Sequence, residues 1–264
     1  MKKVLITGAG SGLGRGTAIG LAQAGHWVIA TTQIWPQVTE LRRRVAELGL
    51  DDRVTVDKLD VLDHRDIAAA AAWDFDTFVS NAAIGDSGPM AEIPVDLVRR
   101  TFETNVFSNL NLTQHVIRKW VDAGTRGRIV IVSSMGGLLT AYGLGTYCAT
   151  KHALEAIAAT LRDELASTGI TVQTINPGPY DTGFNDRIAD TTYRWCLRLK
   201  TARPHRHYGH RMRPADRVRR PGELLQVLPR TRRPRPRRIR GKIPSASESL
   251  GDAGFRYAKG VRWI

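Results

Sequence analysis

Short apolar runs and stretches with helical period alternate through the first two thirds of this 264-residue chain. Val4-Leu5-Ile6 is an aliphatic run that stops at a glycine-rich turn, and it reads as a buried strand. Runs at 27–31, 54–56, 75–79, 128–132 and 170–175 read as five more. Between them, Ala18, Ile19, Leu21 and Ala22 recur at helical spacing up to Gly25, a fitting C-terminal stop. Helices are also predicted over 36–48, 63–72, 96–121 and 146–166. Pro36 suits the first turn of its helix. The third of these carries an asparagine, Asn105, inside an apolar stretch, where a buried amide must find partners. Strands alternating with helices predict an α/β fold, a doubly wound parallel β-sheet flanked by helices on both faces. Right-handed crossovers then bring the ends of strands one, four, five and six to one edge, with Gly12, Asn81, Ser134, Tyr147 and Gly178 along it.

Charge changes this picture only at the end of the chain. The net charge of +14 is not spread evenly. Residues 1–189 hold 18 Lys and Arg against 20 Asp and Glu, whereas residues 190–264 hold 21 against 5. Two cysteines, Cys148 and Cys196, fit a reducing compartment and predict neither a disulfide framework nor a metal site. No apolar run is long enough to span a bilayer, and the N-terminus does not read as a signal peptide. The cytoplasm is the expected location.

The first candidate chemistry lies in Thr7-Gly8-Ala9-Gly10-Ser11-Gly12-Leu13-Gly14, set between a strand and a helix. Glycines let backbone turn tightly and approach a pyrophosphate, which then meets free N–H groups at the helix start. In that context the turn reads as a dinucleotide site. The end of the second strand, Thr31-Thr32-Gln33, has no acid to accept a ribose 2′-hydroxyl and none to repel a 2′-phosphate, which inclines the choice of NADP or NAD toward NADP. Arg42, Arg43 and Arg44 read as a solvated helix face. The second candidate is Tyr147-Cys148-Ala149-Thr150-Lys151. A tyrosine and a lysine four apart share one helix face. A nearby ammonium favours the phenolate and makes tyrosine a usable acid or base.

Thr7-Gly8-x-x-x-Gly12-x-Gly14, Asn81-Ala82-Ala83, Asn105, Ser134, Tyr147-x-x-x-Lys151 and Asn176-Pro177-Gly178, in that order, closely resemble the short-chain dehydrogenase/reductase family. The resemblance covers about residues 3–185, with 13 positions from Ser134 to Tyr147. It implies a Rossmann-type fold and an NAD(P)-dependent oxidoreductase that moves a hydride between the nicotinamide and a carbonyl or secondary alcohol. It implies Tyr147 as acid/base and Lys151 as the group that lowers the Tyr147 pKa and holds the nicotinamide ribose. It implies Ser134 as the hydroxyl that polarises the substrate oxygen, with Ser133 a structural neighbour, and Asn105 as the member that kinks the long helix and holds a relay water. For the cofactor it implies Gly8, Ser11, Gly12, Leu13, Gly14, Thr32, Asp60, Val61, Asn81, Ala82, Ala83, Tyr147, Lys151, Pro177, Gly178 and Thr182, with Asn81 supporting the central strands and Thr182 holding the carboxamide. The partner is a small carbonyl or alcohol; neither a membrane nor nucleic acid is expected, and a homo-oligomer is compatible.

The resemblance fades after residue 185. Residues 186–264 become rich in Arg and Pro, as at Arg230-Thr231-Arg232-Arg233-Pro234, with no sustained helical or strand period. Thr191-Thr192-Tyr193-Arg194-Trp195 can open a substrate-loop helix, and Leu224-Leu225-Gln226-Val227-Leu228 is a short apolar run. Three readings stand: a poorly ordered basic tail for anionic partners, an unusual cap over the substrate site, or the product of a shifted reading frame in GC-rich DNA. The last is favoured. His205, His207 and His210 have metal-like spacing, but their Arg-rich context argues against ligation. Two domains are therefore expected, a catalytic one over 1–185 and an irregular basic extension over 186–264. The competing function is a catalytically impaired nucleotide-binding protein whose substrate cap is lost.

Overall fold

A computed structural model describes residues 1–70 and 72–202, with side chains to residue 195. The expectations for the remaining tail, including the three histidines and the run at 224–228, lie outside the described residues.

Six strands, β1 (Lys3–Ile6), β2 (Trp27–Thr32), β3 (Val54–Lys58), β4 (Thr77–Ser80), β5 (Arg128–Val132) and β6 (Thr171–Ile175), form one sheet of order β3-β2-β1-β4-β5-β6. Every pairing is parallel, with Val4 opposite Val28 on one side and Thr77 on the other. The helices are α1 (Gly12–Gln23), α2 (Trp35–Glu47), α3 (His64–Ala70), α4 (Val95–Phe102), α5 (Ser108–Asp122), α6 (Gly145–Glu164) and α7 (Phe184–Ala202). Strand residues alternate between two cores. Val4, Ile6, Val28, Ala30 and Val56 pack with Ala18, Ala22, Val38 and Leu41 of α1 and α2. Leu5, Phe78, Ile129 and Val172 pack with Leu112, Val116, Trp120 and Leu154 of α5 and α6. Two faces buried at once explain why the strands are nearly unbroken apolar runs. Strand order reverses between β1 and β4, where open α/β sheets hold their ligands. No helix among the described residues is long and apolar enough to cross a membrane.

Two elements differ from the sequence expectation. The predicted helix over 96–121 is broken into α4 and α5 by a π-helical turn at Glu103–Phe107, centred on Asn105. A π-turn inserts one residue into the ladder and bends the axis, so this is the kink. The second is α7, which crosses residue 185: the sequence offers Thr191–Trp195 as the opening of a helix, and the helix begins earlier, at Phe184. Its inward stripe is Phe184, Ile188, Thr191 with Thr192, and Trp195. The spacing is helical, but the middle positions are threonines that use their hydroxyls inward, so an apolar pattern misses them.

Candidate active site

The glycine turn meets the tip of β4. Gly8 has φ +67°, and a Cβ there would stand 2.9 Å from the Ala82 Cα. Gly14 lies so close to the Gly8 carbonyl that a Cβ would collide with it and with the Asn81 amide. The Asn81 Nδ2 donates to the carbonyls of Thr7 (2.8 Å) and Gly8 (3.2 Å), and the backbone N–H groups of Asn81 and Ala82 both donate to the Thr7 hydroxyl (3.0 Å each). Ala83 continues this segment. Asn81 therefore holds the turn itself as well as the strand it ends.

Gly12 has φ +57°, and its Cβ would touch Thr182 at 3.4 Å, which brings the segment after β6 onto the turn. Ser11 caps α1 in extended conformation with its hydroxyl unused by the helix, Leu13 is partly exposed, and the first turn carries no acid. Free N–H groups without a competing carboxylate, over backbone that a Cβ would fill, suit a pyrophosphate. The residues present fit a dinucleotide.

Thr32 is buried at the end of β2, and its hydroxyl donates to the Ile34 carbonyl at 3.3 Å. Asp60 accepts from Leu62 N–H (3.0 Å) and from Gln33 Nε2 (3.4 Å), beside buried Val61. Arg42 donates to the Val56 carbonyl, while Arg43 and Arg44 pair with Glu47, so all three belong to the α2 surface.

The polar cluster sits on α6 and the loop before it. Ser134 caps a short turn by accepting Gly136 N–H at 3.0 Å, and a Cβ at Gly136 would lie 3.5 Å from both the Ser134 Oγ and the Tyr147 ring. Lys151 is 3% exposed; its Nζ donates to the Val132 carbonyl at 2.7 Å and lies 5.6 Å from the Tyr147 ring centroid. Burial pushes the lysine down to about 8, against a weaker pull from Glu155. Burial also raises the Tyr147 phenol, and the hydrogen bond with Ser134 opposes it. The sequence expectation that Lys151 lowers Tyr147 is corrected on this point. Desolvation of the phenol is the largest cause, and the ammonium is turned to the Val132 carbonyl.

Asn105 is fully buried with both ends engaged. Its Oδ1 accepts Ile84 N–H (2.8 Å), and its Nδ2 donates to the Ile84 carbonyl (2.8 Å) and to Thr150 Oγ1 (3.1 Å). It clamps the chain after β4 to the helix of Tyr147. Asn109, one turn on, bonds the Ala82 carbonyl at 3.1 Å. Asn176 donates to the Ser134 carbonyl (3.1 Å) and to Glu155 (2.6 Å), and the Pro177 carbonyl accepts from Met135 N–H (3.0 Å), so the Pro177-Gly178 segment lies against the Ser134 loop. The buried Ser133 Oγ has no hydrogen-bond partner among the described residues.

Sequence reasoning missed the segment 84–88. Gly85 lies between the Tyr147 ring, 3.4 Å from a would-be Cβ, and Ile188 of α7, with which that Cβ would collide. Asp86 is fully buried and accepts from Arg100 (2.6 Å) and Thr101 (2.8 Å). Ser87 grips α7. Its N–H donates to Thr191 (3.1 Å) and its hydroxyl to the Ile188 carbonyl (2.5 Å), which leaves Thr192 to donate to Ser87 Oγ (2.5 Å). Its carbonyl accepts from Trp195 Nε1 (2.9 Å). Gly88 has φ +147° and is pressed against the Trp195 ring. The Phe184 ring stands 5.8 Å from Tyr147. The available signal was Gly85-Asp86-Ser87-Gly88 itself, two glycines around polar residues just past a strand end.

Comparisons agree with this geometry. The family described as short chain dehydrogenase matches residues 2–192. An uncharacterized oxidoreductase of Bacillus subtilis, YusZ, is 34% identical over 186 residues, which are 69% of this chain and 66% of that protein. The D-erythrulose reductase of Gallus gallus is 32% identical over 176 residues, 67% of this chain and 70% of that protein. A solved short-chain dehydrogenase of Sphingobium yanoikuyae, in complex with NADPH, superposes with a TM-score of 0.64 at 28% identity, covering 73% of this chain and 77% of that one. A closed serine dehydrogenase complexed with NADP+ gives 0.65 at 25% identity, covering 76% and 82%. The matched region thus spans just under two thirds of the length of the Bacillus protein. With the parallel sheet, the glycine turn and the Ser134, Tyr147 and Lys151 cluster, these findings lead to one conclusion: the chain belongs to the short chain dehydrogenase family.

Proposed function

We propose that this protein is an NADP-dependent oxidoreductase that reduces a carbonyl compound or oxidises the corresponding alcohol. The observation that carries the reading is the half-buried Tyr147 next to the buried Lys151 and to Ser134, on the sheet edge that also holds the glycine turn. The nicotinamide supplies or accepts the hydride. As hydride reaches a carbonyl carbon, negative charge grows on oxygen and needs donors there. Tyr147 gives that oxygen its proton, and the Ser134 hydroxyl donates a hydrogen bond to the same atom. A phenol raised by burial holds its proton at neutral pH, which suits an acid in the reducing direction. Lys151, one turn on along the same helix, would hold the cofactor ribose. Asn105 fixes the distance between the chain after β4 and the Tyr147 helix.

NADP is favoured at the end of β2, where Thr32 and Gln33 present no carboxylate and Asp60 is turned to Gln33. The NADP-bound relatives support the same choice. The competing reading, a decayed scaffold without a substrate wall, is weakened by α7, which packs against the face of Tyr147. Tyr147→Phe tests the assignment. NADPH oxidation is expected to fall about a thousandfold, with NADPH affinity from nicotinamide fluorescence unchanged within twofold. Undiminished turnover would refute the role of Tyr147.

A further inference from the structure

We propose that the site takes a neutral carbonyl compound with an apolar body, seated between the loop over 135–144 and the first turn of α7. This rests on the oxidoreductase reading and names its substrate class. The loop runs from Ser134 to the start of the Tyr147 helix, so both reacting groups stand at its ends. It exposes Leu138 (61%), Leu139 (62%) and Tyr142 (87%). A second loop faces it: Gly88 N–H donates to the Gly143 carbonyl at 2.8 Å, and Met90, itself 55% exposed, packs on Gly145. The inner wall is Phe184 and Ile188 of α7, which meet Tyr147 directly and through Gly85. Several large apolar side chains left in water on two tied loops are costly unless something covers them.

The charges argue for what that occupant is. Residues 135–144 and 87–91 include no charged residue. The buried Asp86 is consumed by Arg100 and Thr101. Lys151 is turned to the Val132 carbonyl. Arg187 lies over the Phe184 ring at 6.0 Å. Among the described residues neither loop therefore offers a cation to a carboxylate or phosphate on the substrate, and its desolvation there is unfavourable. An alkyl or aryl body loses only its contact with water.

The test uses the full chain saturated with NADPH. Straight-chain methyl ketones from butanone to methyl hexyl ketone are compared with D-erythrulose and with levulinate, by NADPH absorbance for turnover and by bound-nicotinamide fluorescence for binding. kcat/KM is expected to rise with chain length, by up to about fourfold per methylene. Levulinate is expected to be at least about tenfold poorer than the ketone of equal length, since its carboxylate has no partner. Leu139→Glu, a change at an exposed position, is expected to flatten the series. A flat series, or preference for D-erythrulose or levulinate, overturns the substrate class and leaves the oxidoreductase reading standing. Chain-length-dependent binding without any turnover does the reverse. If Leu139→Glu alters the elution volume and leaves the ketone series intact, the patch belongs to a contact between copies and the proposal falls.

Discussion

Residues 8–14 and residues 84–88 both follow a central strand, and both press backbone against a helix. They do so by different means. The first segment is written in backbone geometry: positive φ at Gly8 and Gly12, and a carbonyl at Gly8 that only a glycine at position 14 can approach. The second is held by side chains from distant elements, Asn105 on Ile84, Arg100 and Thr101 on Asp86, and Thr191, Thr192 and Trp195 on Ser87. A local geometric need forces a residue type at a fixed spacing and so leaves a motif. A bond to a partner on another element, above all one about a hundred positions away as for Ser87 and Thr191, leaves none.

The most severe test lies at Lys151, on the helix that Asn105 ties to the chain after β4 through Thr150 and Ile84. Lys151→Met is expected to lower turnover about a thousandfold while making the fold more stable. The folded pKa lies below the ordinary 10.5, so the unfolded chain binds the extra proton between about 8 and 10.5. The lysine therefore opposes folding below pH 8, and this penalty disappears as pH rises toward 10.5. Thermal melts at neutral pH are expected to favour the methionine variant by about 1–3 kcal/mol, with the gap closing at high pH. A gap independent of pH means that the ammonium is not the cause.

Gly14→Ala comes next and should strike the cofactor half alone. Overpacking against the Gly8 carbonyl is expected to cost about 1–3 kcal/mol, with NADPH affinity down about five- to 150-fold by the same energy. Protease resistance of α7 should not change. The mildest variant is Ser87→Ala. It removes a hydroxyl worth about 1 kcal/mol and is expected to raise the ketone KM two- to fivefold, by the same energy scale, without moving NADPH affinity. Equal shifts in both constants would mean that the two regions are coupled and the contrast is wrong.

Much of this was legible before any coordinates. Strand and helix order followed from periodicity, because both sheet faces are buried and each apolar run had to be a strand. The glycine turn, Asn81, Ser134, Tyr147 and Lys151 were legible as motifs, because their chemistry constrains residue type at close spacing. Asn105 was legible as a buried amide; that it clamps Ile84 and Thr150 was not, since both partners lie elsewhere in the chain. Of helix α7 only Thr191–Trp195 was legible, as a helix opening, and the rest was not for a simple reason: threonines in the middle of its buried stripe count as polar in any hydropathy pattern.

The order of residues alone therefore determined the sheet, the glycine turn and the candidate reacting groups, all of which depend on local geometry and short-range spacing. Folding decided the balance of forces on those groups. Burial, and not the neighbouring ammonium, sets the direction of the Tyr147 shift, because desolvation depends on everything packed around the phenol. Folding also decided the wall that faces it, since Ser87 and Trp195 become partners only once the chain between them has been wound into the sheet.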